Sequence, residues 1–274
     1  MRLFQTLKAT TIAIRNLILG SSLTSLRLIR QPLKMLGFVN ENLFSFQAYT
    51  SNHGLCQKNV FEVLDTSNVQ EIHLGDLKKG AWSPYGEPWL HSVPSYTADI
   101  VSLCLLTQIL KPQVIFEIGT LRGYTTLHFA LNAPETARVY SLDLPQKPGI
   151  KPQLKMTAVD YSHMDSHSAI TKYVFQDTSV ASKITCLFGD SANFNYTPYA
   201  GKVDLFFIDG AHSYEYVRSD TLNALRCCHP GSVIAWHDFG RVGVNGVSKW
   251  LVELSRQYEI FAIPGGSVAF MVVK

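Results

Sequence analysis

The run from Val114 to Ala130 constrains this chain more than any other feature, because an apolar strand leads directly into a glycine-bearing turn and then into a helical pattern. Its first residues, Val-Ile-Phe-Glu-Ile, are typical of a parallel strand that is covered on both faces. Gly119 and Gly123 permit a tight turn and the close approach of a ligand, while the following helix directs its positive end at that ligand. The run therefore predicts a nucleotide-type ligand site in an α/β fold.

The spacing within this turn indicates which ligand the site prefers. Glu117, Gly119, Thr120 and Gly123 depart from the dinucleotide fingerprint G-x-G-x-x-G, because a threonine replaces a glycine and an acid lies at the strand end. A carboxylate at Glu117 would repel a pyrophosphate and favour a cation such as a sulfonium or an amino acid ammonium. A nicotinamide-dependent oxidoreductase is therefore disfavoured, although it stays an alternative.

Later segments supply the other strands of a doubly wound sheet. Each of four apolar runs ends in an acid, and the four acids are Asp143, Asp190, Asp209 and Asp238. Asp143 follows the glycine turn by about 20 residues, where a carboxylate can accept hydrogen bonds from ribose hydroxyls. A helix from 215 to 228, a helix from 247 to 257, and short strands at 259–263 and 267–272 follow from the remaining pattern. We predict a Rossmann-like, doubly wound sheet of seven strands, mostly parallel, with an antiparallel C-terminal strand and an N-terminal helical extension.

The sequence Glu-Ile-Gly-Thr at 117–120 followed by Gly-Tyr-Thr-Thr at 123–126 resembles motif I of class I S-adenosylmethionine-dependent methyltransferases. The resemblance covers about residues 96–274. Ile-Asp-Gly-Ala-His-Ser-Tyr at 208–214, then Pro-Gly at 230–231 and His-Asp at 237–238, resemble the metal-dependent branch that includes macrolide sugar O-methyltransferases and cephalosporin hydroxylase-like proteins. This resemblance implies methyl transfer from S-adenosylmethionine to a hydroxyl of a small molecule, such as a sugar or a natural-product intermediate.

The resemblance also implies roles for individual residues. Those expected to contact the cofactor are Glu117, Gly119, Thr120 and Gly123 at its amino acid end, Asp143 at its ribose, Asp190 and Ser191 at its adenine, and Asp209. A divalent ion such as Mg²⁺ is expected at Asp209, His237 and Asp238, although His237 replaces the first acid of the family's pair.

Such an ion would lower the pKa of the acceptor hydroxyl and orient it. We expect His237 or His212 to accept the proton, since imidazole titrates near neutral pH. In the alternative interpretation His237 hydrogen bonds a loop, Asp238 caps the next helix, and His212 has a structural or substrate-orienting role.

Charge separates the first 40 residues from the rest of the chain. Residues 1–40 hold six basic side chains and no acid, whereas the remainder carries 18 basic residues against 21 acidic ones and does not indicate a nucleic-acid binder. We predict a basic amphipathic extension at 1–40, a substrate-side cap or linker at 41–95, and the methyltransferase domain at 96–274. Five cysteines without a C-x-x-C pair are read as reduced core residues, which suits a cytoplasmic protein.

Three interpretations of residues 1–40 stay open: a helix pair that dimerises the chain or covers the substrate site, an interfacial membrane anchor, and an organellar transit segment. The first implies a homo-oligomer and the second a peripheral membrane contact. A catalytically silent, tethered scaffold is a further alternative to an enzyme. The aromatic run 82–89 is a candidate wall of the acceptor pocket or a surface linker, and the long crossover at 145–182, with several histidines, is a candidate lid.

Overall fold

The computed structural model describes residues 55–65, 94–145, 151–157, 159–161, 164, 172–241 and 243–274. The N-terminal extension, the aromatic run 82–89 and the crossover residues His163, Asp165 and His167 lie outside these residues. Within the described part of the chain, no helix is both long and apolar enough to cross a bilayer.

Eight strands and five helices follow one another along the described residues, together with short 3₁₀ turns at Ala181–Lys183 and Thr197–Tyr199. The strands are β1 (Cys56–Gln57), β2 (Val114–Ile118), β3 (Arg138–Asp143), β4 (Ile184–Phe188), β5 (Val203–Ile208), β6 (Cys228–Trp236), β7 (Phe261–Ala262) and β8 (Ala269–Val272). The helices are α1 (Val60–Val63), α2 (Pro94–Leu110), α3 (Tyr124–Asn132), α4 (Tyr214–Cys227) and α5 (Asn245–Leu254).

All eight strands form one sheet in the order β1-β7-β8-β6-β5-β2-β3-β4. The pairings β2–β3, β2–β5, β3–β4 and β5–β6 are parallel, whereas β8 is antiparallel to both β6 and β7. The predicted Rossmann-like arrangement with an antiparallel C-terminal strand is confirmed. The predicted count of seven strands is corrected to eight, because Cys56–Gln57, in the segment read as a cap or linker, pairs in parallel with β7 at the sheet edge. Two residues are too short a run for a strand pattern to be recognised.

Hydrophobic layers cover both faces of the sheet, as the apolar character of β2 predicts. Successive side chains of a strand point to opposite faces, so Ile115 packs into one layer with residues of α2 and α3, and Phe116 into the other. Phe116 is fully buried and stacks on Phe206 of β5, with ring centroids 4.9 Å apart. Helices α4 and α5 complete this second layer, for example through Leu251. Because β2 to β6 run in parallel between these layers, their carboxyl ends meet at one edge of the sheet.

Candidate functional site

The turn after β2 has the left-handed backbone that its glycines predict, with φ values of 100° at Gly119 and 78° at Gly123. A side chain at either position would also overlap protein atoms. A Cβ on Gly119 would meet the carbonyl oxygen of Asp209, and one on Gly123 would meet the ring of Phe175. The glycines therefore let the loop after β5 and the crossover segment approach the turn, a requirement set by the protein itself.

Glu117 lies beneath this turn with no exposed surface. Its Oε2 accepts hydrogen bonds of 2.5 Å from the hydroxyls of Thr126 and Ser141, while Oε1 has no hydrogen-bond partner among the described residues. Burial raises the pKa of Glu117 to about 8, and the nearby charges of Asp209 and Asp143 add to this, although the two hydroxyls oppose it. A carboxyl with one unsatisfied buried oxygen is a group that a cationic ligand would complete.

Thr120, the residue that replaces a fingerprint glycine, also points inward. Its side chain is buried, and its hydroxyl lies 2.6 Å from that of Ser141. Through Ser141, Thr120 joins the same hydrogen-bond chain as Glu117. The threonine thus ties the turn to β3, a role that its position in the motif did not indicate.

The acid at the end of β3 holds the backbone of the turn. Oδ2 of Asp143 accepts from the amide of Leu121, and Oδ1 accepts from the amide of Leu144, each at 2.8 Å. Asp143 is therefore oriented by the protein at the position expected for a ribose contact.

The acid after β4 organises the neighbouring loop. Asp190 accepts from the amides of Gln153 and Ala192 and from the hydroxyl of Tyr216, at 2.7 to 2.9 Å. Ser191 is buried beside it and interacts with Asp220, a carboxyl whose pKa burial raises to about 7. Asp190 and Ser191 thus connect the crossover segment to α4.

Beyond β5 and β6 the chain brings together the four polar residues Asp209, His212, His237 and Asp238. Asp209 comes directly after β5, Asp238 comes two residues after β6, which pairs with β5, and α4 begins after His212 with Ser213 as its N-cap. Asp238 has a φ of 64°, a left-handed conformation that is uncommon for residues other than glycine and more frequent for aspartate. This unusual backbone turns the chain where its side chain joins the cluster.

His212 lies between two carboxylates. Its Nδ1 is 2.5 Å from Asp160 of the crossover segment, and its Nε2 is 2.8 Å from Asp238. Burial disfavours the charged ring, but the contacts with Asp160 and Asp238 outweigh it and raise the pKa of His212 to about 10. The same contact with His212 lowers the pKa of Asp160 against the effect of its burial. The ring is therefore positively charged at neutral pH.

The His237 ring also has carboxylates at both of its nitrogen atoms. Its Nδ1 is 3.1 Å from Asp209 and 3.2 Å from Asp238, and its Nε2 lies 3.2 Å from Asp99 of α2. Burial disfavours charge here too, yet Asp209 and Asp238 raise the pKa of His237 well above its ordinary value. Burial raises the pKa of Asp238, but the His237 charge and the contact with His212 outweigh it and bring that pKa well below its usual range.

Three residues of this cluster could together hold a metal ion. Single ligand atoms of Asp209, His212 and Asp238 all lie within 4.8 Å of one another. The sequence predicted a metal site formed by Asp209, His237 and Asp238. His237 lies beside the group and contacts both carboxylates, whereas His212 completes the set of ligand atoms.

Three charged residues that contact this cluster were not anticipated from the sequence: Asp99, Asp160 and Arg241. Nε of Arg241 is 3.0 Å from Asp238, and its Nη2 donates to Asp99 at 3.2 Å. A local signal existed only for Asp99, the sole charged residue in the apolar sequence of α2. Asp160, in a helical stretch of the crossover segment, and Arg241, in the loop after β6, have no comparable signal in the sequence.

Residues 116–239 match the model of a family described as a methyltransferase domain. A search of curated proteins found no match. Among solved structures, the O-methyltransferase TomG from Streptomyces achromogenes, in complex with SAM, is 19% identical with a TM-score of 0.49, over 75% of this chain and 92% of that chain.

Two further structures have comparable similarity. The O-methyltransferase from Bacillus cereus in complex with SAH is 19% identical with a TM-score of 0.41, over 64% of this chain and 80% of that chain. CalS11, a TDP-rhamnose 3'-O-methyltransferase of calicheamicin biosynthesis, is 18% identical with a TM-score of 0.45, over 65% of this chain and 79% of that chain.

Proposed function

We propose that this chain, whose residues 116–239 belong to a methyltransferase-domain family, transfers the methyl group of S-adenosylmethionine to a hydroxyl of a small molecule. The family match confirms the resemblance that motif I indicated. The observation that carries the proposal is the contact between the two halves of the site. The amide of Asp209 donates to the carbonyl of Ile118 at 2.9 Å, and Gly119 packs against the Asp209 carbonyl, so the acid and histidine cluster adjoins the proposed cofactor turn.

The cofactor residues follow from the same edge of the sheet. We assign the amino acid end to Glu117, Gly119, Thr120 and Gly123, the ribose to Asp143, and the adenine side to Asp190 and Ser191. The unsatisfied Oε1 of Glu117 supports an ammonium or sulfonium nearby, and the carboxylate of Asp143, held at the end of β3 by the amides of Leu121 and Leu144, supports a ribose diol. Hydrogen bonds within the protein already orient the carboxyl groups of Glu117 and Asp143, so little reorganisation of these side chains is needed when the cofactor binds.

A divalent ion fits the donor set of the cluster. Asp209 and Asp238 supply the hard oxygen ligands that such an ion prefers, and His212 supplies a nitrogen. When bound, the ion would lower the pKa of the acceptor hydroxyl. Asp209 is the more exposed of the two carboxylates, with 25% of its side chain accessible against 9% for Asp238, so Asp209 is the one we expect to face the acceptor.

Proton transfer is best assigned to the same aspartate. The acceptor oxygen forms a bond to the methyl carbon as the bond from that carbon to sulfur breaks, which leaves a thioether and releases the hydroxyl proton. The sequence suggested His237 or His212 as the proton acceptor, but an imidazolium must first lose a proton before it can accept one. We therefore propose that Asp209 takes the proton, while His237 holds positive charge beside Asp209 and Asp238. When the ion is bound, His212 would give up a ring proton so that its nitrogen can coordinate.

The substrate class rests on the resemblance of residues 208–214 to metal-dependent sugar and natural-product O-methyltransferases. We propose a polar hydroxyl-bearing acceptor of that kind. Residues 41–95 would supply much of its pocket, and a role of residues 1–40 in oligomer formation or peripheral membrane contact is an additional proposal.

The first experiment is a calorimetric titration of the purified chain with S-adenosylmethionine, with NAD as control. Micromolar binding of the first compound alone supports the methyltransferase proposal, whereas binding of NAD alone would favour the oxidoreductase. Asp209→Asn is then compared with wild type in a methyl-transfer assay over hydroxyl acceptors. We expect turnover to fall at least about 100-fold with cofactor affinity within about twofold of wild type. Equal turnover would remove Asp209 from the mechanism, and full activity in chelator would remove the ion.

A further inference from the structure

Helix α2 contributes one carboxylate to the site from far away in sequence. Asp99 is only 1% exposed and is the only charged residue between Pro94 and Leu110. A buried carboxylate without donors is costly, so its partners indicate why it is present. The described residues around it come from the loop after β6 and from the turn that joins β7 to β8.

Four donors surround this carboxylate. Oδ2 accepts from Nε2 of His237 at 3.2 Å, from Nη2 of Arg241 at 3.2 Å and from the hydroxyl of Ser267 at 2.8 Å. Oδ1 accepts from the amide of Ser267 at 2.5 Å. A Cβ at position 266 would overlap Oδ1, so the glycine there lets the turn close onto Asp99. The turn and the helix therefore hold Asp99 in one position.

This position determines how His237 is presented to the site. With Nε2 directed at Asp99, the opposite edge of the ring places Nδ1 between Asp209 and Asp238, 3.1 and 3.2 Å from their oxygens. If the His237 ring rotated by half a turn, Nε2 would no longer face Asp99, and Asp99 would lose its histidine donor. A fixed ring therefore keeps a positive charge at equal distance from the two site carboxylates.

We propose that Asp99 is a positioning residue, which orients the His237 ring so that its Nδ1 edge faces Asp209 and Asp238. Its contribution to turnover rests on the proposed methyl transfer, whereas the ring orientation can be tested without any reaction. Asp99 acts through His237 and does not contact the reacting atoms.

The chain provides a matched control for this aspartate. Asp204, at the opposite end of β5 from Asp209, contacts Nε2 of His229 at 3.0 Å and accepts from the amides of Gln113 and Val114. It is thus another aspartate that joins a histidine to backbone amides, but it lies away from the candidate site. Asp204→Asn reproduces the loss of an aspartate–histidine pair without disturbing His237.

The test begins with the ring itself. In wild-type protein with ¹⁵N-labelled histidine, we expect a protected Nε2–H resonance of His237, assigned by its absence from His237→Asn. Asp99→Asn should abolish or strongly shift this signal, and Asp204→Asn should leave it unchanged. A wild-type His237 ring without a protected Nε2–H would overturn the proposal even if Asp99→Asn failed to fold.

Kinetics supply the second readout. Asp99→Asn should lower kcat by about 10- to 100-fold, because misplaced active-site groups cost rates of this order, while the cofactor KM and Kd stay within about twofold of wild type. In a His237→Asn background, Asp99→Asn should have no additional effect on kcat, since residues that act as a unit are not additive. Multiplicative losses, or equal losses in Asp99→Asn and Asp204→Asn, would make Asp99 merely structural. A wild type without turnover contradicts the proposed function, while the ring signal still decides the orientation.

Discussion

Replacement of Glu117 by glutamine should make the protein progressively more stable relative to wild type as the pH rises. Glu117 is fully buried, and its Oε2 accepts from Thr126 and Ser141. Glutamine has nearly the same shape, and its carbonyl oxygen can accept the same two bonds, while its amide replaces the unsatisfied Oε1. The substitution thus removes ionisation and keeps the packing.

The magnitude follows from the displaced pKa. Burial raises the pKa of Glu117 from 4.5 to about 8, so the folded protein binds this proton more tightly than the unfolded chain does. The free energy of unfolding of wild type therefore falls by about 1.4 kcal/mol per pH unit between these values, and by about 2.5 kcal/mol from pH 5 to pH 7. Glu117→Gln should not show this fall in unfolding free energy, because glutamine does not ionise. The difference in unfolding free energy, variant minus wild type, should rise by about 2.5 kcal/mol over the same interval.

Urea denaturation at pH 5, 6 and 7, followed by tryptophan fluorescence, measures this difference. Glu259→Gln is the control: Glu259 and Lys274 lie 3.7 Å apart and both are largely exposed, so the pH slope of this variant should match that of wild type. Equal pH slopes for Glu117→Gln and wild type would refute the argument that the buried carboxyl retains its proton. A parallel calorimetric titration should find weaker binding of S-adenosylmethionine by Glu117→Gln, since the group that is proposed to meet its cationic end no longer ionises.

Three further substitutions test other parts of the site. Asp143→Ala should weaken S-adenosylmethionine binding by about 1–3 kcal/mol in calorimetry, through loss of the proposed ribose bond. Gly123→Ala should lower the free energy of unfolding by about 2 kcal/mol or more, measured by urea denaturation, because the new methyl group meets Phe175 at a positive φ. The stability that His212 supplies is fully present below pH 6.5 and is lost as the pH rises through its folded pKa of about 10, so Asp160→Asn should flatten the alkaline fall of the unfolding free energy.

Each of these has an outcome that contradicts it. Unchanged cofactor affinity in Asp143→Ala would remove the ribose assignment. Gly231→Ala is the control for Gly123→Ala, because Gly231 also has a positive φ, of 90°, but a Cβ there meets nothing within 4 Å. Equal losses in the two variants would show that Phe175 adds nothing. Identical pH slopes in Asp160→Asn and wild type would contradict a charged pair between Asp160 and His212.

Strand identity and the order of the acids were readable from the sequence because their signals are local. Apolar β-rich runs such as Val114–Ile118 and Val203–Ile208 are continuous, and Asp143, Asp190, Asp209 and Asp238 each lie at the end of such a run or within two residues of it. Parallel strands must bring their carboxyl ends to one edge, so the convergence of these acids followed from topology. The helix read as 215–228 forms as Tyr214–Cys227, because its apolar spacing and the proline after it are also local.

Tertiary structure alone decided how the polar groups pair and what the glycines are for. His212 and His237 are equally plausible from their positions in sequence, and only packing shows that His212 joins the metal-type group while His237 lies between Asp99 and the site carboxylates. Asp99 is 138 residues from its histidine and Asp160 is 52 residues from His212, separations at which no local pattern records a partner. The charges of these side chains were visible in the sequence, but their pKa values depend on burial and on distances of about 3 Å, which only the folded chain determines.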